Sequence, residues 1–228
     1  IKLDGNYPVG TGNVALGDTA LSSVEAGGNY NVAIGSAAGD AITSGDSNIG
    51  IGLNALGTTI TGAENIAIGT NAMLANSSGS SNVGIGTYAL NSNTASNNTA
   101  VGYQALTANQ TGTRNVAIGL LSFEKQVNTN DNTGVGYLAG RYMTGAGNTA
   151  IGSYTLGAGS SGGNSGSHNT AVGYQALEDM TNGTENTGVG SLSLNNVESG
   201  SGNTAVGRES LLNLTTGSQN TAVGKLAA

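Results

Sequence analysis

The nonapeptide Asn98-Thr99-Ala100-Val101-Gly102-Tyr103-Gln104-Ala105-Leu106 occurs a second time, unchanged, at residues 169–177. Variants of it recur along the chain, and their leading Asn falls at thirteen positions that are 16 to 21 residues apart, most often 17. A Gly stands four residues after every leading Asn, as in Asn31 and Gly35, Asn65 and Gly69, Asn98 and Gly102, Asn115 and Gly119, Asn169 and Gly173, and Asn203 and Gly207. Such a period is typical of solenoids, in which each repeat forms one coil that stacks on the next.

Each repeat contains one short segment that alternates in the manner of a β-strand. The first and third residues after the Asn are β-branched or Leu, as in Thr99 and Val101, and the residue between them is always Ala or Gly. The Gly that follows suits a corner, and the Leu usually found eight residues after the Asn predicts a second buried segment. Glycine recurs too often for helices of ordinary length. The sequence therefore predicts an all-β parallel β-solenoid, or β-roll, of about thirteen 17-residue coils.

Stacking the coils in register places each repeat position above its own copy. The Asn column then has two possible roles, either an amide ladder between coils or a turn residue that caps local backbone. The Val/Ile column becomes an apolar ridge. The Ala/Gly column never varies in size, and one coil buries few side chains, so we expect the Ala/Gly face to pack on sister chains around a symmetry axis.

The repeats run almost without interruption. Residues 1–12 form a lead-in, in which Ile1-Lys2-Leu3 alternates like a strand, and residues 13–228 form a single repeat array with one long insertion at residues 157–168. The chain does not begin with Met and shows no signal peptide, which favours a fragment or a processed piece of a longer protein.

Composition excludes several classes of function. The formal net charge is −7 with only six Lys and Arg residues, so the chain has no basic patch for nucleic acid. There is no Cys, which removes disulfides and thiolate metal sites. No apolar run approaches the roughly 20 residues that a membrane span needs, so we expect no membrane insertion by this segment.

The repeat resembles a known family. Arg114-Asn115-Val116-Ala117-Ile118-Gly119 and Glu64-Asn65-Ile66-Ala67-Ile68-Gly69 are similar to the head repeats of trimeric autotransporter adhesins, the YadA-like heads, and the longer nonapeptide is similar to repeats of phage tail fibres. The resemblance covers about residues 12–228. It implies a left-handed parallel β-roll, three chains side by side, and attachment to a surface or host from the cell surface or a virion. The repeats here are longer than those of the adhesin heads.

Candidate functional residues are few. The best binding candidates are tyrosines that directly or almost directly follow the corner Gly and would share one edge of the roll. They are Tyr88, Tyr103, Tyr137, Tyr154 and Tyr174. The single His168 lies in the insertion and has no partner set typical of a hydrolase. The acidic residues form no regular column, which argues against a calcium array. We expect no catalysis, metal or cofactor.

These observations predict a structural and adhesive segment of an extracellular trimeric fibre, with a host glycan or surface protein as possible partner. A filament subunit without a receptor is the first alternative. An ice- or mineral-binding solenoid is the second, because seven repeats carry Thr directly after the Asn. The other six carry Val or Ile there, which indicates a buried or half-buried column.

Overall fold

The computed structural model describes residues 9–59, 61–157 and 163–228. The chain divides into two compact units, Ile1–Arg114 and Asn115–Ala228. The predicted strand at Ile1-Lys2-Leu3 and the middle of the long insertion, residues 158–162, lie outside the described residues. The described residues contain no helix, in agreement with the prediction.

Both units are parallel β-solenoids whose strands are three residues long and pair one coil apart. Val32 pairs with Ile49 in the first unit, and Thr187 pairs with Thr204 in the second. In the first unit the strands are β1 Val14–Leu16, β2 Val32–Ile34, β3 Ile49–Ile51, β4 Ile66–Ile68, β5 Val83–Ile85 and β6 Thr99–Val101. In the second unit they are β7 Val116–Ile118, β8 Thr133–Val135, β9 Thr149–Ile151, β10 Thr170–Val172, β11 Thr187–Val189, β12 Thr204–Val206 and β13 Thr221–Val223.

The coil turns at the predicted Gly and again just after it. All thirteen corner glycines have φ between +128° and +145°, a region that side chains rarely adopt. The residues six and eight after the Asn are also left-handed, and in most coils the second of these is the core Leu, such as Leu106 with φ +50°. These paired left-handed residues reverse the chain within one tight bend, which the sequence pattern does not reveal.

The amide ladder predicted for the Asn column is present in the structure. Eleven of the thirteen leading Asn side chains are fully buried. The Asn65 Oδ1 accepts from the backbone N–H of Asn82 at 3.1 Å and from its Nδ2 at 3.0 Å, which makes the ladder. The Asn65 Nδ2 also donates to the Gly79 carbonyl in its own coil at 2.8 Å. Each Asn thus joins neighbouring coils and closes its own coil.

The Ala/Gly column faces the inside of the chain's own coil, so our prediction that this face packs on sister chains was wrong. Ala67, Ala100 and Ala171 are fully buried within the single chain. A Cβ built on Gly84 would lie 3.0 Å from Met73 Cε, and one built on Gly188 would lie 2.7 Å from Leu177 Cδ1. The column is restricted to small residues because the core Leu or Met of a coil fills the space beneath the strand.

A further interior column was not predicted from the sequence, because its residues are apolar in some coils and polar in others. It stands eleven residues after the Asn in regular coils, and it is apolar at Ile42 and Met180 but polar at Asn93 and Asn109. Asn109 Nδ2 donates to Asn93 Oδ1 at 2.7 Å, which makes a second, shorter amide ladder inside the first unit. Buried amides of this kind replace apolar packing by hydrogen bonds between coils.

The outer face of the sheet carries the residues that we expected to form a covered ridge. The first and third residues after each Asn point outward and are half-buried or exposed, with Ile118 at 40% and Ile151 at 40% exposure. None of these 26 positions is charged, since 19 are Val, Ile or Leu and seven are Thr. When one face of a sheet contacts water, that face usually carries polar residues, which alternate along each strand with the apolar residues of the buried face. We call this surface the outer β-face.

Phe123 replaces the usual core Leu in the second unit, and the following coil makes room for it. A Cβ on Gly134 would lie 2.6 Å from Phe123 Cε2, and one on Gly140 would overlap the ring. Gly140 occupies the core-Leu position of its coil. The missing side chain at Gly140 therefore provides the space that the larger ring of Phe123 occupies.

We expect Gly140→Leu alone to lower the free energy of unfolding by about 3 kcal/mol through overpacking. Adding Phe123→Leu is expected to restore most of that loss, because it re-creates the regular Leu column and Leu156 shows that Leu adopts φ +55° at this position. Denaturant unfolding of the two single variants and the double variant measures the coupling. Additive losses would contradict this packing account.

Candidate functional site

Three of the five predicted tyrosines form one cluster in the second unit. Tyr137 follows β8, Tyr154 follows β9 and Tyr174 follows β10, so the rings come from three successive coils. The ring centroids of Tyr137 and Tyr154 are 5.2 Å apart, and those of Tyr154 and Tyr174 are 6.2 Å apart. Both pairs are edge-to-face, with interplanar angles of 87° and 82°. We call Tyr137, Tyr154 and Tyr174 the tyrosine cluster.

The phenol groups of the tyrosine cluster also act on one another. The neighbouring phenol of Tyr137 raises the pKa of the Tyr154 phenol, with desolvation and the nearby charge of Glu178 acting in the same direction. Edge-to-face pairs of this kind stabilise by about 0.5–1.5 kcal/mol beyond the area they bury. The cluster therefore presents aromatic surface in a defined arrangement.

In the first unit, Tyr103 follows β6 at the repeat position of Tyr137 and Tyr174, and Tyr88 follows β5 at the repeat position of Tyr154. Their rings are 37% and 45% exposed. They thus sit on the predicted edge of their own unit.

His168 lies away from the tyrosines at the other end of β10. It directly precedes the leading Asn169, whereas Tyr174 follows the strand. His168 is exposed, its backbone N–H donates to the Ala146 carbonyl at 3.0 Å, and its ring covers Gly147. The prediction placed His168 in the insertion, but the structure gives it a regular corner position, because Asn164 has already rejoined the coil through its pairing with Met143.

The polar groups around the tyrosine cluster were not predicted from the sequence. Asn195 Nδ2 donates to the Gln175 carbonyl at 2.9 Å and to Glu178 Oε2 at 3.3 Å. Burial raises the pKa of the Glu178 carboxyl, as does the charge of Asp179. Glu178 and Asn195 stand at the same repeat position in successive coils, 17 residues apart, so a search for polar pairs at one coil's separation would have found them.

The same search would have found a buried ion-pair group in this unit. Glu124 is only 6% exposed, and its two carboxylate oxygens lie 2.6 Å from Lys125 Nζ and 2.6 Å from Arg141 Nε. Burial on its own raises the pKa of Glu124, but the hydrogen bonds and positive charges of Lys125 and Arg141 outweigh it and hold that pKa below its ordinary value of 4.5. Arg141 also lies 4.9 Å above the Tyr142 ring.

The lowered pKa of Glu124 predicts an acid-dependent contribution to stability. The ionised carboxyl stabilises the fold above the pKa of the unfolded chain, and this contribution is lost as pH falls through the lower folded value. We expect Glu124→Gln to lower the melting temperature at pH 7 and to approach wild type as the pH falls below 4.5. Glu185→Gln, at an exposed corner, is the control. A difference from wild type that does not change with pH would contradict the ion-pair account.

The remaining features of the structure give little indication of a chemical function. Within residues 9–59, 61–157 and 163–228, no group of three or more His, Asp or Glu side chains comes close enough to hold a metal ion. In the same part of the chain no helix has the length and apolar character required to cross a bilayer. A cavity of about 410 Å³ opens beside Leu211, Leu214, Asn220 and Leu226 at the last coil.

The fold and its repeated columns define the class: this chain is an all-β parallel β-solenoid repeat protein. No protein-family model, no curated protein and no solved structure matches it.

Proposed function

We propose that this chain is a structural and adhesive segment of an extracellular trimeric fibre, on a cell surface or a virion, whose chains pack through the outer β-face. The observation that supports this role is the absence of charge from all 26 outward strand positions. Burying apolar surface stabilises an assembly by roughly 25 cal/mol per Å². Contiguous apolar patches of this kind mark interaction surfaces.

The solenoid suits a mechanical role because its stability is distributed along the chain. Each coil contacts mainly its neighbours, through backbone hydrogen bonds, the Asn ladder and the core columns. Repeated coils therefore add length without needing a larger core. The corners and loops stay free for adhesion when the outer β-face is covered. The resemblance to trimeric adhesin heads and tail-fibre repeats agrees with this proposal.

The oligomeric state tests the proposal directly. Light scattering after size exclusion is expected to give three times the chain mass of 22.2 kDa. Val189→Lys, on the outer β-face of β11, is expected to give monomers at the same concentration, because a buried lysine charge at the interface is costly. Ser191→Lys is the matched control, since Arg208 and Lys225 occupy its repeat position in later coils. A monomeric wild type, or a Val189→Lys variant that remains trimeric, would refute packing through this face.

An ice- or mineral-binding solenoid is the second candidate, and the outer Thr column favours it. Six successive coils of the second unit carry Thr on the outer β-face, five of them half-buried and Thr221 exposed. Parallel strands space such side chains about 4.8 Å apart in a regular row. The outer β-face cannot be covered by sister chains and at the same time be free to bind ice or a mineral. The two candidate functions therefore exclude each other. Thermal hysteresis by a monomeric wild type would select this candidate over the fibre.

A further inference from the structure

The tyrosine cluster exposes aromatic surface that its own chain leaves uncovered. Tyr137 is 39% exposed and Tyr174 is 51% exposed after the ring contacts with Tyr154 are made. The chain has eight Tyr, one Phe and no Trp, and five of the eight Tyr follow a corner Gly directly or one residue later. Tyrosine supplies rigid contact area at low entropic cost, which is why binding surfaces are rich in it.

The spacing of the rings follows from the strand spacing. Tyr137 and Tyr174 belong to coils on either side of Tyr154, so they are separated by two strand spacings, about 10 Å. That distance is close to the length of two sugar units in an extended oligosaccharide. A row of rings on successive coils therefore matches a linear ligand that runs parallel to the stacking direction.

Polar groups beside the rings can hydrogen-bond hydroxyl groups. Gln175 follows Tyr174 directly, and the charge of Glu178 acts on Tyr154. Glu178 holds a hydrogen bond from Asn195, which orients its carboxyl group. Asp179 is exposed next to it. Aromatic rings with a few oriented polar groups are typical of ligand sites, and the two acidic residues disfavour an anionic ligand.

We propose that Tyr137, Tyr154 and Tyr174, with Gln175 and Glu178 beside them, form a binding site for a neutral, linear oligosaccharide. Pyranose rings pack on the exposed faces of Tyr137 and Tyr174, and the sugar hydroxyls bond to the two polar side chains. The inference deepens the adhesive half of the proposed function by assigning it a site and a ligand class. It does not depend on the trimer, because the rings lie at a corner beside the outer β-face.

An array of neutral and anionic oligosaccharides, probed with the full chain, tests the ligand class. We expect binding to neutral linear glycans of four or more units. For the tightest of them, Tyr137→Ala and Tyr174→Ala are each expected to weaken binding by about 2- to 12-fold, and the double variant by up to about 100-fold. Tyr103→Ala, at the repeat position of Tyr137 and Tyr174, and Tyr88→Ala, at the repeat position of Tyr154, are the matched controls in the first unit and should not change binding.

Nuclear magnetic resonance of Tyr ring signals during the same titration locates the contact. Shifts confined to Tyr137, Tyr154 and Tyr174 support the site. No binding to any neutral glycan at millimolar concentration, a preference for anionic glycans, or equal losses in the control variants would overturn it. Light scattering on the same samples keeps the two proposals apart: a trimer without glycan binding refutes this site alone, and a glycan-binding monomer refutes the fibre alone.

Discussion

Gly173→Ala is expected to lower the free energy of unfolding by about 4–6 kcal/mol. Gly173 is the corner after β10 and has φ +132°, a conformation that an L side chain rarely adopts. An added Cβ would also lie 2.6 Å from both the carbonyl carbon and the oxygen of Gly190 in the next coil. Backbone atoms cannot rotate away as a flexible side chain can, so the two coils must separate. Denaturant unfolding followed by circular dichroism measures the loss.

Gly224→Ala separates backbone strain from the clash between coils. Gly224 has nearly the same φ, +128°, but a Cβ there would meet only the Ala227 Cβ at 4.0 Å. We expect this variant to lose only the strain, about 1–3 kcal/mol. Equal losses at Gly173 and Gly224 would show that the close approach of coils is unimportant and that backbone conformation alone requires glycine at the corner.

Asn186→Ala is expected to lower the free energy of unfolding by about 3–5 kcal/mol. Asn186 Oδ1 accepts from the N–H of Asn203 at 3.0 Å and from its Nδ2 at 3.0 Å. Asn186 Nδ2 donates to the Gly200 carbonyl at 2.7 Å. Removing the amide leaves a buried N–H and a buried carbonyl without these partners, and a buried polar group without a partner costs about 1–3 kcal/mol. Thermal and denaturant unfolding check the value.

Asn182→Ala is the matched control for the ladder. Asn182 lies four residues before Asn186, at the end of the preceding coil, and its side chain is exposed. Surface substitutions of this kind usually change stability by less than about 0.5 kcal/mol. If Asn186→Ala were as mild as the control, the Asn column would be a local turn feature and not a connection between coils.

The interior of the coil shows which core positions a repeat pattern predicts and which contacts of those positions it does not predict. The buried Leu eight residues after the Asn was predicted, and Leu56, Leu106 and Leu177 are fully buried. The restriction of the Ala/Gly column to small residues was recognised from the sequence, but it was attributed to contact with sister chains. The structure shows that the contact is with the core Leu or Met of the same chain. A size restriction shows that something packs closely on a position, but sequence alone does not tell whether that neighbour belongs to the same chain.

The outer β-face and the Ala/Gly column were confused for a related reason. Both faces of each strand lack charge, so the usual contrast between an apolar and a polar face was missing. The closed bend after the Gly decides between them, because it folds the core Leu back under the strand. That bend depends on two left-handed residues, such as Gln104 and Leu106 with φ +54° and +50°. Gln and Leu rarely adopt a left-handed conformation, so their presence in the sequence does not predict the bend.

The tyrosine positions were predictable, but their grouping was not. The tyrosines follow the corner Gly by one or two residues in their coils. Because stacking in register places equivalent positions above one another, this spacing predicted that the tyrosines share one edge of the roll. The ring contacts of Tyr137, Tyr154 and Tyr174, and the orientation of Glu178 by Asn195, depend on side-chain directions that the period does not specify. His168 was misplaced because the length of the insertion hid the point at which Asn164 rejoins the coil.

The sequence by itself determined the coil length, the strand, the Gly corner and the parallel stacking, because a repeat that is 17 residues long in most coils brings equivalent positions together and imposes the same local conformational cost in each coil. The tertiary structure alone decided which face of the strand is inside and which residues close the bend. The physical reason is that a repeat pattern reports which positions are restricted, whereas the direction of a side chain depends on how the chain returns beneath its own strand.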